Sequence, residues 1–215
     1  MIKRMISSVL ILSVLLSIIS TAAMPVYAAD QYFGDLVDGY YLIDEAVDLV
    51  NLSQQINETG TYAGAKFKLV SDIDLSAYKD QVCIGNEDFP FRGEFDGNGH
   101  TIKGLAAETN DSRFGLFGVA GTTESVTVIK NLTIEGANLK APRIAGILAG
   151  ETENVHISNV TVRDSSLEMW TKGSIIELVT AMGIQGGGLV GYAKNTKIYN
   201  CESNNNKVFV DTVGG

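Results

Sequence analysis

Residues 129–134, Ile-Lys-Asn-Leu-Thr-Ile, return as Ile157-Ser158-Asn159-Val160-Thr161-Val162. They return again as Ile198-Tyr199-Asn200-Cys201 and are anticipated by Ile102-Lys103-Gly104-Leu105. The leading isoleucines thus fall at positions 102, 129, 157 and 198, two nearly equal intervals followed by a longer one. Inside each copy, short runs alternate apolar and polar, are rich in Val, Ile and Thr, and are bounded by Gly, Asn or Asp, which is the pattern of short strands. Strands this short cannot each bury a face alone. Recurrence at a long, nearly fixed period lets each pass of chain stack on the previous one, about 4.8 Å away, with equivalent residues in register. The isoleucines then form one inward column, and Leu132, Val160 and Cys201 form another. Asn131, Asn159 and Asn200 share a corner, where stacked amides can hydrogen-bond along the column. The spacing predicts an all-β chain folded as a parallel β-helix, with a β-sandwich as the alternative.

A second motif travels with the first. Gly115-Leu116-Phe117-Gly118, Ile147-Leu148-Ala149-Gly150 and Gly188-Leu189-Val190-Gly191 each precede a copy, and the middle one reads as having lost its first glycine. The longer interval between Ile157 and Ile198 marks an insertion of about 13 residues between Leu167 and Gly183, which contains the only tryptophan, Trp170.

The chain opens with Lys3 and Arg4, a small-apolar run over 5–23, and Val26-Tyr27-Ala28, the pattern of an export leader cleaved between Ala28 and Ala29. Its removal takes 28 of 215 residues, leaving 187, and two positive charges, shifting the formal charge from −9 to −11. So acidic a product is repelled by nucleic acid and by anionic membrane. Residues 29–60 are expected to hold an amphipathic helix that covers the first coil. It would run from Ile43 to Ile56, with Asp44 as N-cap and Ile43, Val47, Val50 and Ile56 on its apolar side. Residues 61–215 carry the repeats, and Val213-Gly214-Gly215 resembles the opening of a further one.

The glycine motifs followed by Ile-x-Asn-Leu resemble the GLUG motif of bacterial surface and secreted proteins. Lys68-Leu69-Val70-Ser71-Asp72-Ile73-Asp74-Leu75, Ile84-Gly85-Asn86 and Phe91 to Leu105 resemble the lead-in to those repeats, so the likeness spans about residues 40–215. The resemblance implies a right-handed β-helix in an exported, often adhesin-like protein. As the alternative, it implies the non-catalytic N-terminal region of a larger secreted enzyme such as an immunoglobulin A1 metallopeptidase, where the motif sometimes occurs, and it implies no catalytic residue.

Candidate chemistry in the sequence is sparse. No His-Glu-x-x-His, Gly-x-Ser-x-Gly or phosphate loop occurs, and no cofactor is implied. Asp96 and His100 flank a Gly-Asn-Gly and suggest a catalytic pair, yet they read better as a turn leading into a strand. Asp72, Asp74 and Asp96, with Arg92 as base, would be the calcium ligands of a polysaccharide lyase, and as strand-end and turn residues they are ordinary. Cys83 and Cys201 fall four coils apart, about 19 Å, beyond disulfide reach, so both are expected to be free and buried. Trp170 and Lys172 form the candidate ligand-binding site, since an aromatic on a protruding segment stacks on sugars or anchors a partner. The expected partner is a host or cell-wall glycan or protein, met outside the cell.

Overall fold

In the computed structural model, residues 36–170 and 184–211 are described. Lys172, Ala28 and Ala29 lie outside them, as do the leader and residues 171–183 of the insertion. The described chain is all-β apart from one helix, α1 (Ala46–Thr59), and its sheets are parallel except for one antiparallel edge pair, Leu36–Val37 with Tyr40–Ile43. The largest sheet stacks Tyr40–Ile43, Ala65–Leu69, Gly93–Asp96, Thr127–Glu135, Val155–Arg163 and Lys197–Tyr199, with Ile73–Asp74, Thr101–Lys103 and Glu202–Asn204 continuing alongside. A second stacks Ala106–Glu108, Asn138–Ala141, Ser166–Trp170 and Lys207–Asp211. A third holds Arg113–Phe114, Ile144–Gly146 and Gln185–Gly187, and a fourth Phe117–Ala120, Ala149–Glu153 and Val190–Lys194. The passes over 93–120, 127–153 and 155–194 each contribute to all four sheets in turn, whereas the earlier strands join the largest sheet alone.

The pairing register produces continuous inward columns. Phe67, Phe95, Ile129, Ile157 and Ile198 align in one. Ile73, Ile102, Ile134 and Val162 align in the next, and Ala107, Leu139, Leu167 and Val208 in a third. The expected stack of Ile129, Ile157 and Ile198 is present, but Ile102 does not lie beneath Ile129. Phe95 does, and Ile102 pairs with Ile134. The displacement comes from the corner: four residues separate Asp96 from Thr101, where only two separate their partners Lys130 and Thr133. Gly97-Asn98-Gly99-His100 therefore makes a wider bend than the later passes need. The early layers are filled by a chain of rings, Phe67 to Phe91 to Phe117 to Phe95, with successive centroids 5.0–6.1 Å apart.

Corners recur at fixed places because the backbone there turns left-handed. Asn131, Asn159 and Asn200 take φ of 53–54°, and Asp164 and Asn205 take 52–53° at the following corner. Asn and Asp tolerate this region best among residues with a side chain. Their side chains also join the layers: Asn131 Nδ2 donates to Asp96 Oδ1 at 2.9 Å, Asn159 Nδ2 to Asn131 Oδ1 at 2.9 Å, and Asn200 Nδ2 to Asn159 Oδ1 at 2.5 Å.

The glycine motif has a different cause, close backbone approach between the third and fourth sheets. A Cβ on Gly115 would stand 2.4 Å from the Gly146 carbonyl oxygen, and one on Gly146 2.3 Å from that of Ala149. The first glycine of the middle copy is therefore not lost. Ala145 pairs with Phe114 and Gly146 with Gly187, so the equivalent place is Gly146, one residue earlier than the motif comparison suggests. The middle and last copies simply carry one more residue in the bend, since Phe114 and Phe117 match Ala145 and Ala149, then Gly186 and Val190.

Helix α1 begins later than its apolar pattern suggests, because Ile43 pairs with Leu69 as a strand residue. Glu45, not Asp44, is the N-cap, and Asp48 Oδ2 accepts from the backbone N–H groups of both Asp44 and Glu45 at 3.0 Å. Leu49, Val50, Leu52, Ser53 and Ile56 form its buried side, whereas Val47 is exposed. Gly60 ends it in the left-handed conformation, φ 65°, which only glycine adopts without strain. The helix also completes the edge beneath it by side-chain hydrogen bonds. Ser53 Oγ donates to the Cys83 carbonyl at 2.8 Å and accepts its N–H at 3.1 Å. Asn57 donates to the same carbonyl and accepts from Gly85 N–H, both at 2.8 Å. A bare sheet edge would leave those backbone groups unpaired.

Ile157 and Ile198 occupy one column, but Ile157 is 0% and Ile198 45% exposed. Ile157→Ala is expected to cost about 2–5 kcal/mol, as for other fully buried aliphatic truncations, and Ile198→Ala clearly less. Equal losses in chemical denaturation would contradict the layer assignment.

Candidate functional site

The carboxylates that suggested chemistry are engaged by turns. Asp72 Oδ1 accepts the Thr101 N–H at 2.9 Å and faces His100 Nδ1 at 3.4 Å; the Thr101 bond is the main reason its pKa lies below the usual carboxylate range. Asp74 is lowered too, first by the Ser76 hydroxyl and then by the Ser76 N–H at 2.9 Å. Asp96 Oδ1 takes the Asn98 N–H and the Asn131 amide, while Oδ2 stands 3.5 Å from Lys130 Nζ. Asp96 and His100 do not meet: His100 leans toward Asp72, and its backbone N–H closes the turn on Gly97. Arg92 reaches Glu124 at 3.7 Å. Among the described residues no group of three or more His, Cys, Asp or Glu is placed to hold a metal ion.

A cleft of about 420 Å³ opens beside Asn57, Cys83, Asn86, Glu87, Ser112 and Arg113. Within it Glu87 pairs with Arg113. Ser112 Oγ donates to Glu87 at 2.7 Å and keeps that carboxylate low, against burial and with help from Arg113. Burial opposes the Arg113 guanidinium, but Glu151 and Glu87, both hydrogen-bonded to it, outweigh this and raise its pKa. Cys83 lines the cleft as a partly exposed residue, yet protein surrounds its sulfur closely enough for desolvation to push the thiol up to about 12. A thiol held protonated is a poor nucleophile. Cys201 is half-buried rather than buried, with Sγ 3.4 Å from the Tyr199 carbonyl oxygen, and neither cysteine is in a disulfide.

The outer face of the second sheet is where the candidate Trp170 lies. Leu167 and Met169 point inward at 0% exposure, so the alternation turns Ser166, Glu168 and Trp170 outward. Trp170 is half-buried, at the end of its strand. On the neighbouring strand Phe209 pairs with Glu168 and is 54% exposed. Glu168 in turn stands 3.4 Å from Lys140 Nζ, and Ser166 Oγ donates to Asn138 Oδ1 at 3.1 Å. Phe209 across the strand pair and Trp170 two residues along thus both neighbour Glu168 on the outward side of this sheet, an arrangement able to stack on rings and hydrogen-bond to hydroxyls or amides. Lys172, the companion candidate, lies outside the described residues. Phe209 is absent from the motif reading, although the same long interval that relates Asn159 to Asn200 also carries Glu168 to Phe209.

No known protein family's profile matches the chain. It is 36% identical over 131 residues to a protein from Evansella cellulosilytica provisionally named a Gly-rich membrane protein, covering 57% of this chain and 14% of that one. It is 33% identical over 120 residues to Halomucin of Haloquadratum walsbyi, covering 54% of this chain and 1% of that one. The chain therefore spans only a small part of the curated relatives it matches. A crystal structure from Bacteroides ovatus, provisionally described as an immunoglobulin A1 protease, overlaps 84% of this chain and 65% of its own at 18% identity and a TM-score of 0.44. Among the described residues no helix is long and apolar enough to cross a membrane.

In a Cys201→Ser background, Cys83 is expected to resist alkylation at pH 8 in the native protein and to react completely in denaturant. Rapid native labelling would contradict the packing around its sulfur.

Proposed function

We propose that this chain is a non-enzymatic module of a secreted or cell-surface protein, folded as a right-handed parallel β-helix, that presents its outer face to a host or cell-wall glycan or protein. The fold reading draws on the continuous parallel registers, which set Ile129 beside Ile157 and Ile157 beside Ile198, and on the strong preference of parallel crossovers for the right hand. The GLUG-like glycine and asparagine repeats support the same reading. Export is supported by the leader-like start, with cleavage between Ala28 and Ala29, and by relatives whose names place them at membranes or among mucins. The much greater length of those relatives fits a role as one module of a larger surface protein.

The observation that carries the binding reading is Phe209, a large aromatic more than half exposed, beside Trp170 and the Lys140–Glu168 pair. An exposed aromatic beside a second one and an ion pair can anchor a ring or an apolar side chain of a ligand. A lyase is not proposed, because Asp72, Asp74 and Asp96 are tied into turns and ladders.

On an array of glycans and extracellular-matrix proteins, the native chain is expected to bind a small set of ligands. Trp170→Ala and Phe209→Ala should each weaken that binding at least about tenfold, the scale of a 1.4 kcal/mol contact, without changing the unfolding midpoint. Binding unaffected by both variants would move the site elsewhere, and N-terminal sequencing of exported protein that fails to start at Ala29 would overturn the leader.

A further inference from the structure

The third sheet begins at Arg113–Phe114, whose only strand partner among the described residues is Ile144–Gly146 in the layer above. On that upper side Ile144 N–H donates to the Ser112 carbonyl at 3.0 Å. Successive residues of a parallel strand direct their backbone groups to opposite neighbours, so those of Arg113 face downward, where no strand lies.

This gap belongs to the chain's own course and not to its ends. Asp80 N–H donates to the Ala106 carbonyl at 2.9 Å and Ile84 pairs with Phe117, so residues 81–83 cover the ground that 107–116 cover one layer up. The shorter course cuts off the corner that carries Arg113–Phe114 and leaves a notch beneath it. The notch consists of two adjoining hollows of about 420 and 410 Å³ that share Asn57, Cys83 and Asp111. Helix α1 forms one wall, and its Ser53 and Asn57 bond the backbone of Cys83 and Gly85, not that of Arg113.

The notch has a sign as well as an open edge. Glu58, Asp80, Glu87, Asp88, Glu108 and Asp111 line it. Arg113 is the one cation among its lining residues, and Glu87 and Glu151 already hold it. Ala107 and Phe114, both buried, back it with apolar surface. A second copy of this chain, at a formal charge of −9, has the wrong sign for such a surface. So do residues 29–35, which bring Asp30 and Asp35 and no Lys or Arg.

We propose that this notch docks an extended basic segment of another protein, which lies parallel beneath Arg113–Phe114 as the missing strand of the third sheet and sets Lys or Arg side chains among those carboxylates. Strand addition supplies attachment through the backbone, and the carboxylates select a cationic sequence. The inference rests on strand register and charge and is independent of the Trp170 face.

The test uses the full chain and a fluorescent, end-capped peptide of residues 140–147, Lys-Ala-Pro-Arg-Ile-Ala-Gly-Ile, the basic segment that already pairs with the other edge of Arg113–Phe114. Saturable binding by anisotropy is expected, weakening as salt rises. A scrambled peptide of the same composition, or the peptide with Lys140→Glu and Arg143→Glu, should bind at least about tenfold more weakly. Glu58→Lys with Asp88→Lys in the protein, exposed positions at either end of the notch, should cause a similar loss. The same charge change at the exposed Glu124 and Glu202, outside the notch, should not, and neither should Trp170→Ala, with circular dichroism confirming that each variant folds. No saturable binding, equal binding of the scrambled or charge-reversed peptide, equal losses from the two pairs of protein substitutions, or a dimer of the chain that excludes the peptide would overturn the proposal.

Discussion

Parallel strands need a long connection to return the chain to its starting edge, usually a helix. Here Ile129 and Ile157 are register partners one repeat apart, and no helix lies between them. The return must therefore be made from strands and tight corners, and the strands flanking each corner must keep their register from layer to layer whatever the corner's length. A corner that drifted by one residue would turn the inward face of the next strand to solvent. Left-handed backbone at Asn131, Asn159 and Asn200, and again at Asp164 and Asn205, answers that demand. The amide ladder then joins adjacent corners, and the glycines at 115 and 146 let two bends approach where no Cβ fits.

At the N-terminal end α1 supplies apolar cover from Leu49, Leu52 and Ile56, while Ser53 and Asn57 stand in for the missing strand by bonding the backbone at Cys83 and Gly85. In the last described layer, Ile198 and Val208 keep the inward orientation of the core and are 45% and 42% exposed. Between them the charged side chains pair across layers on the outer faces, as Lys130 does with Glu94 at 2.6 Å and Lys194 with Glu153 at 2.6 Å. Exposed pairs of this kind add little stability, and they keep a regular polar surface on which Trp170 and Phe209 stand out.

The periodic part of the fold is legible because a side chain that stacks on its own equivalent repeats in sequence, and Ile129, Ile157 and Ile198 fall where the spacing puts them for that reason. Ile102 does not, because the wider Gly97–His100 bend breaks the equal spacing on which the comparison depends. Gly146 escapes the motif for a similar reason, one added residue in the bend. Helix α1 buries Val50 and Ile56 as its pattern reads but leaves Val47 exposed, and its start is set by pairing of Ile43 with Leu69, a contact that no local pattern announces. Of the candidate site, Trp170 is visible by its rarity. Phe209 is not, because its exposure follows from strand parity across the longest interval of the repeat rather than from any motif.

If the layers are equivalent, one of them can be removed. Thr127 and Val155 are register partners, so excising residues 127–154 joins Val126 to Val155 and sets Ile157 over Phe95 and Asn159 over Asp96. The shortened chain is expected to keep parallel-sheet circular dichroism, cooperative unfolding and resistance to proteolysis. Excising 127–155, one residue more, reverses the inward and outward faces across the junction and should abolish all three. If the first deletion unfolds the protein, or the two behave alike, the in-register stack is not what holds this chain together.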